Sequence, residues 1–183
     1  MRAQFRFGID LGGTKTEIIA LQGSDERLRR RLPTPQGDYA ATLQTIAQLV
    51  RQAEHELGSS GSVGIGIPGT RSPDHGRIKN ANSVCLIGQD LQGDLEQLLQ
   101  RPIRLANDAD CFTLSEASDG AGAGADSVFG VILGTGVGGG IVIHGRLLGG
   151  PNAIAGEWGH NALPWRCPAD GPSRRCYCGL DDC

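Results

Sequence analysis

Apolar and polar residues alternate through residues 5–10 (FRFGID), and the run closes on an acid followed by LGGTKT. A two-residue period of this kind belongs to a strand with one buried face. Residues 16–21 (TEIIAL) predict a second strand and residues 26–32 a third, more polar and so at or near a sheet edge. The chain therefore opens as a meander about a Gly-Gly turn. From residue 38 to residue 57 the period changes. Tyr39, Leu43, Ile46, Leu49, Val50, Ala53 and Leu57 recur close to the 3.6-residue repeat of an amphipathic helix, and Gly58 is placed to end it. Residues 63–67 (VGIGI) read as a short buried strand running into Pro68-Gly69.

A shorter helix is predicted over residues 91–99 and a strand over residues 103–106, after which Asn107 and Asp108 cap a helix over residues 109–118. A flexible GAGAGA loop at 120–125 leads to strands over 127–133 and 137–144, joined around Gly134-Thr135-Gly136, with a turn at Gly145. Beyond Pro151 the periodicity is lost. The order of meander, helix, strand, helix, strand, helix and strand hairpin predicts an α/β fold with a mixed sheet.

A chain of 183 residues with 39% hydrophobic content and a net charge of −3 suits one globular domain. The densest basic run, Arg27 with Arg29, Arg30 and Arg31, is too short for a nucleic-acid footprint and reads as a solvated strand face. Aromatic residues, at 4%, are too few for a base-stacking platform. No apolar stretch approaches the roughly 20 residues that span a bilayer, and the N-terminus has no signal-peptide core. The expectation is a cytoplasmic protein without nucleic-acid or membrane partners. Glycine, at 29 residues, concentrates where strands end, as it does where backbone must approach a ligand.

Three constellations carry candidate chemistry. In Asp10-Leu11-Gly12-Gly13-Thr14-Lys15 the glycines let backbone amides face a phosphate, Thr14 adds a hydroxyl, and Asp10 can hold magnesium through water; a plain β-turn is the alternative. Asn107-Asp108 either caps a helix or offers a carboxylate at a strand end. Cys176, Cys178 and Cys183, with His160, form a Cys₃His set of the kind that closes around structural zinc, with Cys167 as a competing ligand and unligated thiols or a disulfide as alternatives. Cys85 and Cys111 read as buried small hydrophobes, and His55 and His75 as exposed.

GIDLGGTKTEIIAL resembles the first phosphate loop of the actin-like ATPase superfold, in particular that of ROK sugar kinases, and GTGVGGG at 134–140 is similar to its second. The resemblance runs from Phe7 to Cys183. It implies an actin-like ATPase (ribonuclease H-like) domain over residues 1–150 and a sugar-site and zinc-binding segment over 151–183, with ATP, Mg2+ and Zn2+ as cofactors. It places Asp10, Gly12, Gly13, Thr14, Lys15, Gly134, Thr135, Gly136 and Gly138 at the nucleotide and makes Asp108 the general base. Asn82, Asn107, Asp108, Glu157 and His160 fall at a hexose, and His160, Cys176, Cys178 and Cys183 at zinc.

RLPTP, KNANS and AGEWGHNALPW look most like the bacterial fructokinase branch, with N-acetylglucosamine kinases close behind. The implied activity is ATP-dependent phosphorylation of a hexose, with fructose at its 6-position favoured, in a homodimer if the full-length fold is present. The family motif C-x-C-G-x-x-G-C-x-E meets CYCGLDDC here, with Asp182 at the second glycine and no glutamate after it. The second lobe that supplies the adenosine pocket is expected to be missing. A catalytically inactive remnant is therefore one alternative reading and a sugar-sensing regulator another, although Asp10 leaves no room before it for that regulator's DNA-binding module.

Overall fold

In the computed structural model, which describes residues 4–134, 136–176 and 178–183, the opening alternation forms three antiparallel strands. β1 (Phe5–Leu11), β2 (Lys15–Gln22) and β3 (Asp25–Pro33) turn Phe7, Ile9, Leu11, Ile18, Ala20 and Leu28 into one buried face. That face is covered by α1 (Tyr39–Leu57), whose Ile46, Ala47, Leu49, Val50 and Ala53 are buried. Asp38 caps α1 by accepting the Ala41 amide at 2.9 Å, and Gly58 ends it at φ 61°, in the left-handed region that favours glycine.

β4 (Gly61–Ile67) runs parallel to β1, and a small hairpin of β5 (Thr70–Arg71) and β6 (Ile78–Lys79) follows. The residue pattern did not reveal this hairpin, because two-residue strands are too short to show a period. α2 (Leu91–Leu99) buries Leu91, Leu95 and Leu99 and leads to β7 (Ile103–Asn107), parallel to β4. The sheet order β3-β2-β1-β4-β7 is mixed and leaves β3 at an edge, as its polarity predicted. The arginines of β3 are exposed, and Arg29, Arg30 and Arg31 pair with Glu17, Glu26 and Glu56, which makes this run a solvated face.

α3 (Asp108–Asp119) then leads into a second sheet of β8 (Ser127–Leu133), β9 (Val137–Ile143) and β10 (Arg146–Leu147), in the order β10-β9-β8. Residues 1–150, read from sequence as one domain, thus hold two larger sheets bridged by α3, besides the β5-β6 hairpin. Periodicity gives strands but not their partners, and β8 finds its partner only in β9. Among the described residues no helix is long and apolar enough to cross a membrane.

α3 buries only Ala109 and Thr113, so its apolar stripe is narrow. It lies on β8 and β9 because Gly130 and Gly140, opposite one another in register, leave room for Thr113. A Cβ at Gly130 would stand 2.1 Å from the Thr113 hydroxyl oxygen, and one at Gly140 2.7 Å from it. Gly130→Ala is therefore expected to destabilise the fold by about 1–3 kcal/mol, the usual range for overpacking, and to lower the melting temperature by several degrees. Gly134→Ala, with open space around it, should melt with the parent. Equal melting of parent and Gly130→Ala would show that α3 is not held this closely.

Candidate functional site

The three parallel strands β1, β4 and β7 end at one edge of the first sheet. Asp10 lies opposite Gly66, and Gly66 opposite Ala106, so Asp10 and the Asn107-Asp108 pair are two strand spacings apart, roughly 10 Å. Gly66 lies between them, and the start of α3 folds over it: a Cβ there would be 3.7 Å from the Asp108 Cα and 3.6 Å from the Cys111 Sγ.

The turn after β1 is held from behind by its carbonyls. The Thr34 hydroxyl donates to Gly12 O at 2.8 Å, the Gln36 side-chain amide donates to Gly13 O, and the Thr34 amide donates to Thr14 O at 3.0 Å. The buried Thr16 hydroxyl in turn donates to Thr34 Oγ1 at 2.8 Å. Gly12 is sterically required, since a Cβ would meet Lys15 O at 2.8 Å. Gly13 is not: a Cβ would find its nearest neighbour, the Ser83 hydroxyl, only at 3.9 Å. Its openness toward a cleft suits close approach of a ligand. Thr14 and Lys15 are exposed beside it.

The second glycine loop separates into two functions. Gly134 and Gly136 have open space around them and close on each other through Gly134 N donating to Gly136 O at 2.9 Å. Gly138 touches Ala109, and Gly139 and Gly140 are packing glycines: a Cβ at Gly139 would be 2.7 Å from Gly156 O. Thr135 lies outside the described residues.

Asn107 is the N-cap of α3. Its Oδ1 accepts the Asp110 amide at 3.1 Å and its Nδ2 donates to Gly69 O at 3.0 Å, which pins the end of β7 to the turn after β4. Asp108 accepts its neighbour Ala109's amide at 2.8 Å and is half-buried. Burial raises its pKa, with Glu157 adding to the rise, while the backbone bonds from Ala109 and its own amide oppose it. Asp110 is raised by burial and by Asp108 and Glu157, and Asp10 by partial burial, then by Asp108 and Glu17, against the pull of Arg31. Four carboxylates thus share one field.

Asn107, Asp110, Gly139 and Glu157 line a cleft together with Gly69, Thr70, Asn80 and residues 153–155. Glu157 arrives from the face of β9 opposite α3. Trp158 donates through Nε1 to Gly138 O at 3.2 Å and stacks edge-on against Phe129 at 5.9 Å, and a Cβ at Gly159 would lie 2.4 Å from Val137 O. Asn82, the expected sugar ligand, lines a neighbouring cleft with Gly13, Thr14 and Ser83, whereas Asn80, at φ 56°, stands with Asn107 and Glu157. Asp110 was not singled out from sequence, although its place two residues after Asp108 in the first turn of α3 could have indicated it. Cys111 is exposed and Cys85 half-buried, so neither is the buried hydrophobe the sequence suggested. Cys85 lines the cleft of Asn82, and the Cys111 thiol lies over Gly66.

His160 turns its Nδ1 toward the thiols and does not line the cleft with Glu157. The His160 Nδ1 lies 3.5 Å from Cys176 Sγ and 3.4 Å from Cys183 Sγ, and Cys178 Sγ lies 3.5 Å from Cys183 Sγ. All four ligand atoms fall within 4.8 Å of one another, and Cys167 is outside the group. Tetrahedral zinc with ordinary Zn–S and Zn–N bonds has edges of about 3.5–3.8 Å, so the donor set and its spacing fit the ion. Backbone and thiol hydrogen bonds, led by that of Cys178, lower the Cys176 thiol to about 7, while bonding to Cys176 pushes the Cys183 thiol up to about 12.

A sequence model of the ROK family matches residues 6–183. The N-acetyl-D-glucosamine kinase of Yersinia enterocolitica is 46% identical over 182 residues, which are 97% of this chain and 60% of that protein. The N-acetyl-D-glucosamine kinase of Pectobacterium atrosepticum is 43% identical over the same shares. Among solved structures, a ROK hexokinase from Thermus thermophilus aligns with a TM-score of 0.77 at 34% identity, over 98% of this chain and 58% of that one. A ROK family glucokinase from Streptomyces griseus, in complex with glucose and AMPPNP, aligns at 0.78 and 28% identity over 87% and 51%. The chain spans about 60% of the length of most of the curated relatives it matches. These likenesses establish the actin-like ATPase fold.

The raised pKa of Asp108 makes a stability prediction. The folded chain holds this proton more tightly than the unfolded chain, so stability falls as pH rises from 3.8 through the raised value, and the penalty persists at neutral pH. Asp108→Asn keeps the oxygen that accepts from Ala109 and removes the charge. It should melt above the parent at pH 7, with the gap closing below pH 3.8. A variant that melts below the parent at pH 7 would show that the carboxylate is not strained there.

Proposed function

The chain belongs to the ROK family, and from that premise we propose that its cleft binds a hexose and the phosphates of ATP, with Asp108 as the base that deprotonates the attacking sugar hydroxyl. The observation that carries this reading is the position of Asp108. It starts α3 at the ends of the parallel strands, beside the cleft of Asn107, Asp110 and Glu157 and within the field of Asp10.

A carboxylate whose proton affinity is raised by burial is a stronger base than a solvated one. Asn107 fixes Asp108 through the helix cap and through its bond to Gly69 O. Glu157 accepts hydroxyl hydrogens from the other side of the cleft. Gly13, Thr14 and Lys15 on one side and Gly136 on the other would receive the phosphates, with Gly12 and Gly134 closing the two turns through their amides' bonds to Lys15 O and Gly136 O. Asp10 would hold magnesium through water, and the ion would offset charge building on the phosphates.

The matched relatives are named N-acetyl-D-glucosamine kinases rather than fructokinases. The amino sugar therefore replaces fructose as the substrate we propose. Gly69, Thr70, Ala153 and Ala155 in the cleft lining are small, which supports a substituent larger than a hydroxyl.

With Asp108→Asn in a kinase of the relatives' full length, kcat for N-acetylglucosamine should fall by about 10² to 10⁴, the contribution of a positioned base, while the sugar KM changes little. Turnover at the parent's rate removes Asp108 from this role. The same assay ranks the sugars, and a higher kcat/KM for fructose than for N-acetylglucosamine would reverse the substrate proposal.

We also propose that His160, Cys176, Cys178 and Cys183 hold structural zinc. The ion would tie the aperiodic tail to the segment carrying Glu157. Elemental analysis of reduced protein purified without added metal should find about one zinc per chain, lost on acidification and absent in the Cys176→Ser, Cys178→Ser double variant. Stoichiometric zinc persisting in that variant would contradict the ligand assignment.

A further inference from the structure

The tail that carries the Cys₃His cluster has almost no apolar packing of its own. Residues 161–175 are exposed throughout, and the apolar side chains Leu163, Trp165 and Leu180 face solvent. Its order has to come from polar contacts, and these converge on one side chain. The Asp182 carboxylate accepts from the Ser173 hydroxyl at 2.8 Å and from the Arg174 amide at 2.8 Å, and pairs with Arg166 Nε at 3.0 Å. Its backbone joins the same segments, since Asp182 N donates to Arg174 O at 2.8 Å and Leu163 N donates to Asp182 O at 2.8 Å.

Those partners bracket the ligands. Leu163 follows His160 by three residues, Arg174 precedes Cys176 by two, and Asp182 adjoins Cys183. Neighbouring bonds close the same loop: Cys176 N donates to Leu180 O at 2.9 Å, and Arg175 and Asp181 form an antiparallel bridge. Asp182 sits at φ 56°, a left-handed conformation that glycine adopts more easily. A residue with a Cβ is held there at some cost in strain, and three hydrogen-bonded or charged donors around its carboxylate offset that cost.

We propose that Asp182 is a positioning residue for the metal cluster: its carboxylate, bonded to Arg166, Ser173 and Arg174, holds His160 and the three thiols together before an ion enters, so that metal binds a preformed site. This rests on the zinc reading above and goes beyond it, because a cluster assembled by the metal alone would leave the tail unfolded without it. Asp182 touches no ion; it acts through the backbone of the residues that do.

Cobalt(II) titration of the reduced full chain, read by thiolate-to-cobalt absorption, tests this together with hydrogen exchange on the chelated protein. In the metal-free parent the amides of Arg174, Cys176 and Asp182 should be protected. In Asp182→Ala that protection is lost and cobalt affinity falls about 10- to 100-fold, as for removal of other residues that orient ligands. Asp182→Gly, which relieves the backbone strain, should fare no better, because the carboxylate is gone. The melting temperature of the α/β core should stay unchanged, which keeps the effect local. Equal cobalt affinity in parent and both variants overturns the proposal, as does a metal-free parent with an unprotected tail. A parent that shows no thiolate-to-cobalt bands overturns the zinc reading itself, and the proposal with it.

Discussion

The close approach of α3 to glycine backbone on both sides is the constraint from which the rest of the site follows. Gly66 lets the helix start fold over the end of β4, and Gly130 and Gly140 let Thr113 settle onto the second sheet. A helix that buries only Ala109 and Thr113 has little hydrophobic area with which to hold this position. Fit at the glycines and the cap at Asn107 do the holding instead. Because one short helix bridges both sheets, its first turn is the place where groups from each meet: Asp10 and Asn107 from the first, Gly138 to Gly140 from the second, and Glu157 across β9. Proximity of catalytic groups is here a consequence of backbone contact.

That convergence is electrostatically unfavourable. Burial raises the proton affinity of Asp10, Asp108 and Asp110, and the neighbouring carboxylates, Asp108 at Asp10 and Asp110 and Glu157 at Asp108 and Asp110, add to it. A fold selected for stability alone would place a neutral or cationic side chain among them. Carboxylates kept in mutual repulsion at strand ends are suited to binding cationic charge or taking up protons, and both are needed where phosphate is transferred to a hydroxyl. Stability and reactivity pull in opposite directions on the same side chain, Asp108.

Much of this was legible in the residues because it rests on local rules. Alternation marked the opening meander, a short apolar run before Pro68-Gly69 marked β4, period 3.6 marked α1, and residues 38 and 58 bounded it within a residue. Asn107 as a cap followed from hydrogen-bonding chemistry alone. What stayed hidden depends on non-local contact. The division into two sheets turns on which strands pair, which alternation does not encode. Within the GVGGG run Gly136 faces open space while Gly139 and Gly140 pack against other backbone and side chains, a difference that only their neighbours in the fold create. Asn80 and Asn82 are two residues apart and border different clefts, because the backbone at Asn80 is left-handed. Cys111, an apolar type expected in the core, is exposed because α3 turns it toward the end of β4 at Gly66 and not toward the second sheet.

The tail obeys different physics from the core, and its link to the cleft is short. The core is held by buried aliphatic side chains; residues 161–183 are held by hydrogen bonds, ion pairs and, on the reading above, thiolates. Only residues 156–160 connect them, yet this span is tightly registered: Gly156 and Gly159 press on β9, and Trp158 is bonded to Gly138 and packed on Phe129. Glu157 lies inside it, three residues from His160. Any loosening of the thiol cluster reaches His160 first, and the anchored Trp158 and Gly159 stand between that change and the carboxylate. Along the chain, any effect of the tail on the cleft has to pass through Trp158 and Gly159, which are bonded to and packed on β9 and Phe129.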